Sequence, residues 1–421
     1  MSEKKIKILT LGDMPLSPSG VGTQSKYMIE GLLKTGKYSV FSLGGAIKHE
    51  DYSIKKTEEW GDDWQLQPVD RFGNPEIVRS MIRYQRPDIV WLMTDPRFWP
   101  WLWNMEDEIR PLCPMVYYHV WDNYPYPKYN KPFYDSNDAI VTISKVTDDI
   151  VRTVSPDIEC FYLPHAVESD VYTKLEEKKV LELKAGNFPQ WENNKFLIFW
   201  NNRNARRKQS GTLIWWFKEF LDEVGHDKAC LLMHTDPQDS NGPNLEAIIN
   251  ELGLTNGEVM FSNKKIVPQE LAFMYNMADV TVNISDAEGF GLGTLESLSC
   301  STPIIVTMTG GLQQQVTDGK NWFGIGLEPV SKTVIGSQDV PYIHEDRISK
   351  EDFINALKKM FYLSPEERNK MGEEGRNYVL KNYNFNNYQK KWDDIMTHIY
   401  EKNGSWETRK NYKSWTFKEV A

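Results

Sequence analysis

Short, strongly apolar runs alternate with loops and amphipathic helical patterns along most of the chain. That alternation limits the available folds more than any other feature. Ile6–Gly12 ("IKILTLG") reads as a strand, and Asp13–Gly22 ("DMPLSPSGVG") as a loop by its Pro, Ser and Gly content. Thr23–Gly36 ("TQSKYMIEGLLKTG") reads as a helix, with Tyr27, Met28, Gly31 and Leu32 on one face and Gly36 placed to close it. Asp88–Met93, Met115–Val120 and Ala139–Ile143 continue the pattern. Runs that are apolar at consecutive positions suit parallel strands buried on both faces. Residues 1–175 are therefore expected to form one doubly wound, Rossmann-like α/β domain.

A charged stretch follows, Glu168–Asn194, which reads as a short helix and a link bearing Gly, Pro and Asn. The pattern then restarts at Phe196–Trp200. In Thr212–Gly225, residues Leu213, Trp216, Phe217, Phe220, Leu221 and Val224 repeat at three and four, the period of an amphipathic helix. Ala229–His234, Glu258–Ser262, Asp279–Ser285 and Pro303–Thr307 read as strands, and Pro268–Ala278 as a helix. A second doubly wound domain over 190–385 is the expectation, followed by a long helical pattern from Asn386 and a Trp-bearing tail. A length of 421 residues suits two or three domains. Ligands of such sheets sit beyond the carboxyl ends of the strands. Two facing domains would make a cleft for a two-substrate reaction.

The net charge of −10 disfavours binding a polyanion with the whole surface. Cys113, Cys160, Cys230 and Cys300 form no CxxC pair and read as buried, reduced thiols. The N-terminus lacks the apolar core of a signal peptide, and no run reaches the roughly 18 apolar residues of a membrane span. A cytoplasmic location, extending to the membrane periphery, is the expectation.

Two stretches carry candidate chemistry. "DAEGFGLGTLES" (Asp286–Ser297) places Glu288 on a loop with Gly289, Gly291 and Gly293, just after a strand. Glu296 follows a turn into the next helix, after seven intervening residues. The glycines let the backbone approach a ligand, and the helix offers its positive end to an anion. Glu288 could accept hydrogen bonds from vicinal hydroxyls, and Glu296 from a second pair such as those of a ribose. The ordinary alternative is one capping and one solvated glutamate. "FLIFWNNRNARRKQSG" sets Arg203 and Lys208 five apart, with Arg206 and Arg207 between, after the first strand of the second domain. Such cations could neutralise a diphosphate, or form a solvated basic turn.

Together these residues resemble a retaining glycosyltransferase of the GT-B fold, most like family 4 of the glycosyltransferases. The resemblance rests on E-x7-E (Glu288, Glu296) and R-x4-K (Arg203, Lys208). Echoes run through "SPSGVGTQ", "LPHAVESDVY", "LAFMYNMADVTVNIS" and "TPIIVTMTGGLQQQVTDGKNWF". It implies that Arg203 and Lys208 bind the donor diphosphate and that Glu296 holds the nucleotide ribose. Glu288 would contact the donor sugar, with the backbone of Gly289, Phe290 and Gly291 nearby. Gly20 and Gly22 would line the cleft from the first domain, and segment 386–421 would pack back on that domain. His119 stands where the family keeps a histidine near the sugar. Asp122 and Trp121 are weaker, acceptor-side candidates.

The sequence departs from the family at His165-Ala166, at Glu168, at Gln209-Ser210-Gly211 and in the split pair Gly20-Val21-Gly22. With no D-x-D in the chain, neither an obligatory metal nor a cofactor is expected. The donor is expected to be a nucleoside-diphosphate sugar of UDP or GDP. The acceptor would be a glycan, a lipid-linked glycan or a small molecule. A second reading is a phage-type transferase acting on hydroxymethylated bases in DNA, suggested by aromatic stretches such as Asp95–Asn104 and opposed by the acidic charge. A third is a nucleotide-sugar-binding accessory protein without turnover.

Overall fold

The computed structural model describes residues 4–188 and 195–413, so parts of the expected link (189–194) and tail (414–421) lie outside the described residues. The chain divides into two compact units. One takes in the residues up to Ala166, Gly336–Pro341 and the chain from Asn386 on. The other takes in Val167–Ile335 and Tyr342–Phe385. The short helix expected in the charged stretch is Glu177–Asn187.

Among the described residues the first unit holds an eight-stranded sheet of order β3-β4-β2-β1-β5-β6-β7-β8. Its strands are β1 (Ile6–Asp13), β2 (Tyr38–Gly45), β3 (Lys55–Lys56), β4 (Trp64–Pro68), β5 (Ile89–Thr94), β6 (Met115–His119), β7 (Ala139–Thr142) and β8 (Glu159–Tyr162). All pairs are parallel except β3 with β4. β5 and β6 are buried along their whole length, as their unbroken apolar sequences require. The first helix, Gly20–Lys34, begins three residues earlier than its apolar pattern suggests, because the Ser19 hydroxyl accepts from the Gly22 amide at 2.9 Å and caps it.

The helix Phe385–Asn403 closes this unit. Its Trp392 meets Trp91 of β5 and Tyr118 of β6 edge to face, with ring centroids 6.0 and 4.9 Å apart. In the aromatic stretch Asp95–Asn104, Trp99 and Trp103 are core residues while Phe98 stands exposed.

The second unit holds a parallel sheet of order β11-β10-β9-β12-β13-β14. Its strands are β9 (Phe196–Asn201), β10 (Ala229–His234), β11 (Val259–Ser262), β12 (Val280–Asn283), β13 (Ile304–Thr307) and β14 (Gly324–Leu327). Helix Ser210–Val224 buries Leu213, Phe217, Phe220 and Leu221 of the expected stripe, together with Ile214, while Trp216 and Val224 are half-buried at its edges. An antiparallel hairpin follows β14, made of β15 (Ser331–Ile335) and β16 (Ile343–Arg347). Among the described residues no helix is long and apolar enough to cross a membrane.

Candidate active site

β9 and β12 lie side by side, with Phe199 opposite Thr281. The loops leaving their carboxyl ends therefore meet. After β9 the chain runs to a short 3-10 turn, Arg206–Lys208, then through Gln209 in the left-handed region (φ 55°) into helix Ser210–Val224. After β12 it runs through Asp286 and Glu288 to Gly291, which starts helix Leu292–Ser299. Several bonds join the loops. The Asp286 amide donates to the Arg207 carbonyl at 2.8 Å, and the Gln209 carboxamide donates to the Asp286 carboxylate at 2.6 Å.

This junction brings Lys208 and Glu288 together. Both are buried, and the Lys208 ammonium donates directly to the Glu288 carboxylate. The Arg207 guanidinium lies 3.8 Å from the same carboxylate and also donates to the Ala287 carbonyl. Burial raises the Glu288 carboxyl, but the charges of Lys208 and Arg207 outweigh it and hold the group below its ordinary range. Glu288 is thus an ionised carboxylate held between two cations.

The glycine loop is pinned from below by the segment after β13. Gly311 donates its amide to the Glu288 carbonyl at 3.0 Å. The Gln315 carboxamide donates to the carbonyls of Phe290 (2.7 Å) and Gly291 (3.2 Å). Gly291 has φ +89°, and a Cβ there would lie 2.5 Å from the Leu312 side chain, so only glycine fits.

Glu296, a turn into the helix, is half-buried and hydrogen-bonded. The Tyr275 hydroxyl donates to it at 2.8 Å, and the Asn201 carboxamide donates to that hydroxyl at 2.7 Å. Burial pushes the Glu296 carboxyl up to about 7, against the hydrogen bonds from Tyr275 and Tyr172. The sequence offered no separate signal for Tyr275, which sits among the apolar residues of helix Pro268–Met277.

Arg203 stands apart from this cluster. Its side chain is exposed and pairs with Asp239 at 2.6 Å. The neighbouring Asn204 is fully buried, donating to the Pro243 carbonyl at 2.8 Å and accepting from the Ser210 hydroxyl at 2.6 Å. With Asn204 turned inward, Arg203 is turned out. Of the four basic residues in this loop, Arg207 and Lys208 are the two that reach Glu288.

The first-unit candidates form groups of their own. Ser19 donates to Asp13 at 2.7 Å, beside the helix start at Gly20. A Cβ on Gly22 would lie 2.7 Å from the Met14 carbonyl oxygen. His119 ends β6 and is fully buried; its Nδ1 meets the Tyr117 hydroxyl at 2.9 Å and its Nε2 the Tyr134 hydroxyl at 2.8 Å. Burial pushes its pKa down to about 3, so it is neutral. Trp121 is buried and donates its indole N–H to the Asn123 carbonyl at 2.9 Å; Asp122 is half-buried. Among the described residues no three His, Cys, Asp or Glu side chains are grouped to hold a metal ion.

Residues 190–378 match the family Glycosyl transferases group 1. The match covers less than half of the chain and falls almost wholly within the second unit. A D-inositol 3-phosphate glycosyltransferase of Paenarthrobacter aurescens (strain TC1) is 39% identical over 77 residues, which is 18% of each chain. The chain therefore matches less than a fifth of that curated relative's length. Two solved structures are similar over almost the whole chain. Sucrose-phosphate synthase from Thermosynechococcus elongatus has a TM-score of 0.75 at 16% identity, covering 95% of this chain and 100% of that one. Anabaena HepE, solved in complex with UDP and glucose, has a TM-score of 0.68 at 13% identity, covering 93% and 99%. At such identities these structures establish the fold, which is GT-B, with one Rossmann-like sheet in each unit.

Proposed function

We propose that the chain is a retaining glycosyltransferase that moves a sugar from a UDP- or GDP-sugar to an acceptor hydroxyl. The observation that carries this reading is the buried Lys208–Glu288 pair, flanked by Arg207 and followed by Glu296 a turn into the next helix. Breaking the anomeric carbon–oxygen bond leaves positive charge on the sugar ring and negative charge on the departing diphosphate. Lys208 and Arg207 stand ready to neutralise the diphosphate, and Arg203 can join them by leaving Asp239. Glu288 accepts hydrogen bonds from sugar hydroxyls, and Glu296 from the ribose.

A carboxylate already held by two cations is a poor nucleophile, so the reaction is front-sided. The acceptor oxygen bonds the anomeric carbon on the face from which the diphosphate leaves, and the leaving phosphate oxygen takes the acceptor's proton. The configuration is retained. With two or three cations on the diphosphate, turnover does not depend on a divalent metal. The name of the inositol 3-phosphate glycosyltransferase supports testing a phosphorylated polyol early among the small-molecule acceptors. Glycans and lipid-linked glycans follow.

The test is a donor screen. Purified protein is incubated with UDP-, GDP- and ADP-sugars, with and without EDTA, and release of nucleoside diphosphate is followed. Release from one donor, persisting in EDTA and lost in Glu288→Ala, supports the reading. A product of the opposite anomeric configuration by NMR removes the front-sided mechanism. Saturable donor binding without transfer to any acceptor favours the accessory-protein reading, and absence of donor binding removes both.

A further inference from the structure

Three consecutive residues of β16 brace both loops of the candidate site. Glu345 is 1% exposed and accepts two bonds from the Arg206 guanidinium, at 2.5 and 2.9 Å. The Asp346 amide donates to the Asp286 carbonyl at 2.8 Å, and its carboxylate accepts from the Thr309 hydroxyl at 2.7 Å. Arg347 pairs with the buried Asp286 carboxylate and donates to Glu345 at 3.0 Å. Arg206 lies two residues before Lys208, and Asp286 two before Glu288. A single strand thus holds, through side chains and backbone, the two short segments that carry the buried ion pair.

We infer that the hairpin β15–β16 is a brace for the donor site, with Glu345 and Arg347 as positioning residues that set Lys208 against Glu288. This inference rests on the donor-binding reading above. Its physical basis is the cost of leaving charge unpaired. Removing the Glu345 carboxylate leaves Arg206 without its anion and Arg347 with Asp286 alone, whose carboxylate it already shares with Gln209. The loop bearing Lys208 loses its fixed register against the loop bearing Glu288. A displacement of about 1 Å there is enough to cost on the order of 10²-fold in rate. The paired carboxylate also explains why Glu345 stays ionised: burial raises its carboxyl, while Arg206 and Arg347 outweigh that and hold it low.

The experiment measures UDP and GDP binding by calorimetry, and release of the preferred nucleotide from its sugar. It compares full-length wild type with Glu345→Ala, Glu345→Gln, Arg206→Lys and the exposed control Lys178→Ala, which lies outside the hairpin. Glu345→Ala is expected to weaken nucleotide binding and slow release by about tenfold to 10²-fold. Glu345→Gln and Arg206→Lys show a smaller loss, and Lys178→Ala matches wild type. A residue needed for folding alone would lower the melting temperature and leave the affinity of the folded fraction unchanged. A cycle with Lys208→Ala identifies the route: if Glu345 acts through Lys208, Glu345→Ala adds little in that background. Folded Glu345→Ala and Glu345→Gln binding nucleotide as wild type does, or effects that multiply fully with Lys208→Ala, would overturn the inference. Wild type binding neither UDP nor GDP would instead overturn the donor reading itself.

Discussion

The Tyr275 hydroxyl bonds the Glu296 carboxylate at 2.8 Å while accepting from Asn201 at 2.7 Å, so the last residue of β9 reaches the second glutamate through a tyrosine on another helix. The chain fixes the orientation of Glu296 before any ligand arrives, in surroundings that keep its carboxyl near neutrality.

Glu296 should therefore impose a pH dependence. Its folded-state value of about 7 lies above the ordinary 4.5, so its contribution to stability is full below about pH 4.5 and is lost as pH rises through about 7. Nucleotide binding should move the other way, strengthening with ionisation between about pH 6 and about pH 8. Glu296→Gln should flatten both profiles, read by melting temperature and by calorimetry. A wild-type affinity that is level over this range would sink the ribose role.

Lys208→Ala should slow nucleotide release by about 10²-fold or more through lost charge stabilisation. It should also cost about 3 kcal/mol of stability, because Glu288 stays buried with Arg207 as its remaining cation. Lys208→Met with Glu288→Leu should recover most of that stability in denaturant titrations without recovering activity. Glu288, held below its ordinary value, stabilises the fold above about pH 4.5, and that contribution is lost as pH falls through the lower folded-state value. Lys208→Ala should narrow this loss on the acid side.

Arg203 and Arg207 should separate. Arg203→Ala breaks an exposed pair and should change stability by less than about 1 kcal/mol. Arg207→Ala removes the second cation at Glu288, and should weaken nucleotide binding at least as much as Arg203→Ala. Donor affinity lost in Arg203→Ala alone would show that Arg203 leaves Asp239 on binding and carries the larger share.

His119→Phe should cost about 1–3 kcal/mol, since it strips a partner from two buried tyrosine hydroxyls. With its folded-state value near 3, the histidine stabilises the fold above about pH 6.5, and the effect is lost as pH falls below that. NMR titration should show the ring neutral down to about pH 5. An ionisation near 6.5 would mean that the ring is open to solvent or ligand.

The unbroken apolar runs of β1, β5, β6, β9 and β10 were legible because strands buried on both faces leave no room for polar alternation. β2 (Tyr38–Gly45) and β4 (Trp64–Pro68) carry Ser, Gly and Gln between their apolar residues, which hides them in the sequence. The hairpin β15–β16 leaves no pattern in the sequence, because β15 is exposed along most of its length and has no apolar face to announce it. The glutamate and basic loops could be read from spacing, since a strand end followed by glycines or cations is a local pattern. Which cation meets Glu288 could not. That choice depends on Asn204 reaching the Pro243 carbonyl, a contact distant in sequence. Tyr275 is hidden for a related reason: a tyrosine on an apolar helix looks like core until the partner of its hydroxyl is known.

The helix that bears Trp392 gives the molecule an order of assembly. A ribosome delivers Trp91 and Tyr118 early, but the residue that covers them comes only after the entire second unit. A nascent chain paused before Asn386 holds all of Val167–Ile335 and Tyr342–Phe385, and still lacks the lid of the sheet made first. The unit begun first is the one finished last, and until then its tryptophan face is a surface for chaperones to guard.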